Sequence, residues 1–214
     1  MKKLKCIGLV AVASCLLSAC ISSHKNEAEV IYSRPDVVTQ VEKLIVFPTT
    51  NFEGQATKDI RLVDASINAN WIKLFGKDKT IPAGLVIEQI SNQIGKNAYM
   101  SFVRMLDDVS GVEQILADEN VRKFIQLATD KLGAAGKSQF ALALVKGSEE
   151  SYNKGEPIYI NIGLFDVKTL TWKVITKTKS TKTKFGVFKT DYNGIIKDHF
   201  ATIKDNIENT NEKK

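Results

Sequence analysis

The chain has 214 residues, with 30 Lys and Arg against 24 Asp and Glu, and is 43% hydrophobic and 25% charged. That length suits one domain with appendages, and that composition excludes a fibrous or intrinsically disordered protein. A net charge of +6 raises nucleic acid or acidic lipid as partners, and three cysteines raise thiol chemistry.

Both impressions depend on the N-terminus. Lys2, Lys3 and Lys5 precede an apolar run from Ile7 to Leu17, which is of signal-peptide length and too short to span a bilayer. The run ends in Leu17-Ser18-Ala19-Cys20, which resembles the bacterial lipobox. The resemblance implies that residues 1–19 are a signal peptide and that Cys20 becomes the first mature residue, with its sulfur in a thioether to a diacylglyceryl group. Several acyl chains make such an anchor effectively permanent. Ile21 stands where enteric-type sorting would use an Asp to retain the protein at the inner membrane, so the outer membrane is expected, with the domain facing the periplasm. Processing removes three lysines, Cys6 and Cys15, and the charge falls to +3. Nucleic acid is then no expected partner, and no thiol remains for a disulfide, a nucleophile or a metal.

Residues 21–40 are polar and mixed, and read with Cys20 as a short flexible tether. Glu42 to Pro48 is a compact apolar run stopped by proline, which predicts a buried strand. Ile60, Val63, Ile67, Trp71 and Leu74 form a helical stripe ended by Gly76. Thr80 and Pro82 suit the first turn of a second helix that carries Val86, Ile87, Ile90 and Ile94 and stops at Gly95. The aromatic and β-branched content of Tyr99 to Leu106 predicts a strand. One helix, or two broken near Asp118, fills Gly111 to Leu132. Strands are expected over Ser138–Val145, Ile158–Val167 and Trp172–Lys184, with a polar loop at Ser148–Gly155 and a tight turn at Lys168–Thr171. Ile195, Ile196, Phe200, Ile203 and Ile207 predict a final helix over about residues 192–208. The expected organisation is a signal peptide (1–19), a lipidated tether (20–40), one domain (41–208) and a disordered tail (209–214).

This β-α-β-α-β-β-β-α order predicts an α/β fold, a mixed sheet with flanking helices. With Lys43–Pro48 followed by Asn51-Phe52, Ser138–Gly147, and the Ile162–Thr169 hairpin continued by Trp172-Lys173-Val174, it resembles the CsgG/LpoB/TolB-N-terminal-like lipoprotein superfamily over residues 42–207. Leu170 replaces the usual turn glycine. The resemblance implies a periplasmic binding domain, and, in curli-type channels, a pore subunit. The loop Lys146–Glu156 has no room for a membrane-inserting hairpin, and the Thr-Lys repeat after Thr176 offers lipid no apolar face.

The main charged feature is a lysine ladder: Lys173, Lys177, Lys179, Lys182, Lys184 and Lys189, with no acid between Asp166 and Asp191. It reads either as a surface for an anionic partner or as an edge strand guarded against edge-to-edge pairing. Trp71 and Phe75 read as core, or as a surface for a protein partner. His24 and His199 are the only imidazoles, and no His cluster, nucleophile elbow, phosphate loop or dinucleotide fingerprint accompanies them. The acidic pairs Asp107-Asp108 and Glu149-Glu150 read as solvated turns. No cofactor, metal or catalytic residue is expected. The chain reads as a non-enzymatic outer-membrane lipoprotein, an accessory or assembly factor that binds another envelope protein for secretion, surface structure or cell wall. The alternatives are a CsgG-like secretion component or peptidoglycan-synthase activator and, from another class, an envelope hydrolase built on His199; a second copy of the chain stands beside the envelope protein as a candidate partner.

Overall fold

A computed structural model of the chain describes residues 24–33, 41–52, 58–107, 115, 117–133, 138–182 and 192–211. Its elements are β1 (His24–Ser33), β2 (Lys43–Val46), β3 (Thr50–Asn51), α1 (Lys58–Phe75), β4 (Thr80–Pro82), α2 (Gly84–Ile94), α3 (Asn97–Arg104), α4 (Glu119–Leu132), β5 (Ser138–Lys146), α5 (Glu149–Asn153), β6 (Ile158–Asp166), β7 (Thr171–Lys182) and α6 (Tyr192–Asn211).

The seven strands form one mixed sheet in the order β1-β7-β6-β5-β2-β4. Strands β2 and β4 run parallel to β5, and β3 also pairs with β5 beyond the break at Pro48. Strands β5, β6, β7 and β1 form an antiparallel series. Strand β5 is apolar at nearly every position because it is covered on both faces. Its Phe140, Leu142 and Leu144 enter one layer, with α2, α3 and α4, and its Ala141, Ala143 and Val145 enter the other, with α1 and α6. Strand β6 sends Ile158, Ile160, Ile162 and Leu164 into the second layer and Phe165 into the first, as its alternation predicts. The fold is thus a mixed α/β sheet with helices on both faces.

A bulge sets the faces of β7. The register shifts between Leu164 and Phe165, so that Leu164 faces Val174 and Phe165 faces Trp172, with Lys173 as the extra residue. The Trp172 indole thereby joins the first layer, stacked on Phe102 at 5.6 Å and edge-on to Phe165 at 5.3 Å. Gly163 lies beneath it, and a Cβ there would meet the Trp172 ring and the Leu106 side chain.

Several expectations change. Residues 97–104 are helical, not extended: Tyr99, Phe102, Val103 and Leu106 are all buried on one side at helical spacing, and this stripe outweighs β propensity. Thr80–Pro82 is a short edge strand, where proline is tolerated because no further strand asks for its missing N–H. Helix α2 starts only at Gly84, with Ala83 at the cap position. Asp118 caps α4, its Oδ1 accepting from the amides of Asn120 and Val121, and Gly133 ends it at φ 57°. The polar loop at 148–155 contains α5, capped by Ser148. Residues 24–33, expected in the tether, form β1, and the backbone of 209–211, expected in the tail, continues α6. Residues 1–23, Cys20 among them, and 34–40 and 212–214 lie outside the described residues.

Candidate functional site

The part of the lysine ladder within β7, Lys173 to Lys182, is interior to the sheet. Strand β7 lies between β6 and β1, so it is not the guarded edge that its sequence suggests. Its missing acids come from distant strands. Glu27 of β1 is the cross-strand partner of Lys179, and Glu29 that of Lys177. Opposite charges so placed stabilise an antiparallel pair by about 0.2–1 kcal/mol each. The Lys177 ammonium also sits 4.9 Å above the Tyr159 ring. Lys182 closes the strand opposite His24, and Lys184 lies outside the described residues.

Lys173, at the bulge, is buried. Its Nζ lies 2.8 Å from Asp166 Oδ2, with both side chains only 9% exposed. Asp166 Oδ1 accepts from the amides of Lys168 and Thr169 and so shapes the β6–β7 turn. Burial pushes the Asp166 carboxyl up, but the Lys173 ammonium and the two amides more than offset it, and the group titrates below its ordinary value. Lys173→Met leaves this carboxylate without its cation and is expected to destabilise the domain by about 2 kcal/mol in urea unfolding at pH 7. The loss should shrink as the solution is acidified and the lone carboxyl takes up a proton. An unchanged midpoint at pH 7 would rule out a structural role for the pair.

Trp71, offered by the sequence as a partner-facing residue, is fully buried in the described fold. Its ring meets Phe200 edge-on at 4.6 Å and Phe75 at 5.7 Å, locking α1 to α6. It presents no surface to a partner. Phe75 is half-buried beside it.

His199 is likewise fully buried, under β6 and β7. Its Nε2 lies 2.7 Å from the Ile160 carbonyl and its Nδ1 2.8 Å from Thr176 Oγ1. A carbonyl only accepts, so Nε2 carries the hydrogen, and Nδ1 accepts from the hydroxyl. Both nitrogens are engaged away from solvent, so the ring is a structural group with no path to a substrate. Burial pushes its pKa down to about 4, against the weaker opposing pull of the Ile160 carbonyl. The unfolded chain protonates near 6.5. His199 therefore contributes stability in full above pH 6.5, and loses about 3 kcal/mol of it as pH falls from 6.5 to 4. Urea midpoints of wild type and His199→Gln, followed between pH 7.5 and 4.5, should converge as pH falls. Parallel curves would show that the ring titrates normally.

The sheet end at which β3, β5 and β7 finish carries a cluster that the sequence does not advertise. Arg104 and Lys146 lie 5.3 and 5.2 Å from the centre of the Phe52 ring, and Arg104 Nη2 donates to the Phe52 carbonyl at 3.0 Å. Lys146 also pairs with Asp107, and Asn161 donates to the Leu106 carbonyl at 2.9 Å and to Asp107 at 3.4 Å. Asp107 is thus a bound carboxylate, not a free turn residue. In sequence, the only trace was the position of Phe52 just beyond a strand.

A shallow groove of about 300 Å³ lies between α4 and the β6–β7 turn, lined by Ile115, Ile125, Val167 and Leu170 with Arg122 and Asp130. Leu170 holds φ 54° there, in the turn position where the resembled family has glycine. Among the described residues, no group of three or more His, Cys, Asp or Glu is placed to hold a metal ion. No described helix is long and apolar enough to cross a membrane.

No family model matches the chain, and no curated protein matches it. Two solved structures of PelC from Paraburkholderia phytofirmans, both dodecamers, are similar in fold. A single-residue variant of PelC aligns with a TM-score of 0.44 at 7% identity, covering 86% of this chain and 98% of that one. The other aligns at 0.40 and 9% identity, covering 86% and 97%. Likeness at this level is one of strand and helix order.

Proposed function

We propose that this protein is a non-enzymatic lipoprotein of the outer membrane that acts as a subunit of an oligomeric envelope assembly, of the secretion type. The observation that carries the reading is the order of the chain: Leu17-Ser18-Ala19-Cys20, which resembles a lipobox, then, from His24, the first described strand of a folded α/β domain. The lipid sets location, and the domain supplies binding surfaces. His199, the one imidazole an envelope hydrolase would use, is sealed in the core with both nitrogens bonded. Strand β1, ten residues long, lies at the edge of the sheet, the position from which a second copy or another envelope protein adds a strand. The assembly described for PelC is that protein's own; self-association of this chain rests on its own edge.

The second reading, an accessory factor that docks a different envelope protein, uses the same surface. In-cell crosslinking of the lipidated protein separates the two: a ladder of multiples of its own mass supports the subunit, and a single heterologous adduct supports the accessory factor. A monomer that captures no envelope protein would overturn both. Labelled palmitate should enter wild type and not Cys20→Ala, and equal labelling would remove the anchor.

A further inference from the structure

Helix α1 buries one face and leaves the opposite face apolar. Ile60, Val63, Ile67 and Trp71 enter the second core layer. At about 3.6 residues per turn, Leu62, Ala65, Ala69 and Ile72 point the opposite way. All four are exposed, Leu62 at 58% and Ile72 at 40%. The solvent face of a helix normally carries charged and polar groups. Asp64, the one charge between Leu62 and Ile72, accepts instead from the Thr49 amide at 2.7 Å.

The stripe has the spacing of a and d positions in a heptad, and it reads alike from either end: a large residue, two alanines, a large residue. A two-fold interface uses one patch twice and needs a patch that complements itself. Two α1 helices packed on this stripe meet that need, and the alanines let the backbones approach closely.

The flanks select the direction. One flank of the stripe holds position 59, an aspartate, with Ser66 and Lys73; the other holds Arg61, Asn68 and Phe75. Antiparallel helices join like flanks, so Lys73 meets the aspartate at 59 of the second copy, twice by symmetry. Arg61 meets Phe75, half-buried and able to take a cation against its ring. Parallel helices would join unlike flanks and set Lys73 against Asn68 and Arg61 against Ser66, with no opposite charges matched.

We propose that the outward face of α1 is a two-fold contact between two copies of this chain, the helices antiparallel, with Leu62 of each copy against Ile72 of the other. The surface is distinct from the β1 edge, because α6 lies between α1 and β1. It deepens the subunit reading above: two different contacts per copy are what an assembly larger than a dimer requires. About three turns of helix cover less than the roughly 1,200–2,000 Å² of a stable complex, so the contact alone holds weakly and works beside the other.

The test uses the full-length chain as cells produce it, purified in mild detergent, with two single variants, Leu62→Cys and Ile72→Cys. Both replace exposed side chains and should leave the fold intact. Wild type, which keeps Cys20, sets the background. Each variant alone, and the two mixed, are oxidised and run on non-reducing gels. Antiparallel pairing puts like positions about 15 Å apart along the axis, so the mixture should give about fivefold more disulfide dimer than either variant alone. Either variant alone matching the mixture overturns the antiparallel contact, and dimer at the wild-type level in all three overturns the contact altogether. In the mixture, Lys73→Asp in both chains should lower the yield, and adding Asp59→Lys should restore it; no restoration overturns the charge match that sets the direction. Chemical crosslinking of wild type separates the two levels. A ladder of its own multiples without the disulfide between positions 62 and 72 refutes this contact alone, and a monomer in both assays refutes the subunit reading with it.

Discussion

Gly163→Val is expected to be the most damaging single substitution in the domain, costing about 3–5 kcal/mol, at or beyond the upper end of ordinary overpacking. Gly163 pairs with Leu142 on one side and Ile175 on the other, in the middle of the sheet, so the backbone cannot move away. A Cβ at this position points into the first core layer, 2.7 Å from Trp172 Cζ3 and against Leu106. The Leu106 tip can swing aside; the indole is held by Phe102 and Phe165. A loss of that size is a large share of the stability of an ordinary domain. Urea unfolding followed by tryptophan fluorescence should show a much lower midpoint, or no folded baseline. Leu106→Ala in the same chain should recover part of the loss, because it opens space beside the new side chain. An unchanged midpoint in Gly163→Val would mean that the ring is not stacked over this residue.

The second large effect is expected at Trp71. Trp71→Ala removes a fully buried indole between α1 and α6 and should cost about 3–5 kcal/mol. Phe200 and Phe75 lose their common partner, and α6 loses its main hold on α1. The variant also decides the role of the residue. A core tryptophan lowers the unfolding midpoint, and any loss of envelope crosslinks follows the folded fraction. A partner-facing one would leave the midpoint within about 0.5 kcal/mol of wild type, as surface substitutions do, and weaken crosslinking by itself.

The residues that read correctly in sequence are those whose environment is local. Ile158, Ile160, Ile162 and Leu164 announce a strand with one face in a core because their alternation is the pleat itself. Gly133 ends α4 as expected, and Asp118, expected only as a break in one of two alternatives, is its cap, because caps act within one turn. The residues that misled depend on partners far along the chain. His24–Ser33 carries two acids, a lysine and an asparagine and looks like linker. It is a strand because β7 supplies the matching lysines some 150 positions later. The same distance hid the acids of the ladder: Glu27 and Glu29 cannot be assigned to Lys179 and Lys177 until the sheet order is known. Tyr99–Leu106 failed for another reason. Its propensities favour a strand and its spacing a helix, and burial against α4 decided for spacing.

The pairing of β1 with β7 also sets an order of folding. Strands β5, β6 and β7 are joined by short connections, and their contacts form at low entropic cost, whereas β1 must close a loop of more than a hundred residues to meet its partner. Strand β1 is therefore the last to join the sheet. Until it does, β7 keeps an open edge. Completion of the sheet is then the closing step of folding.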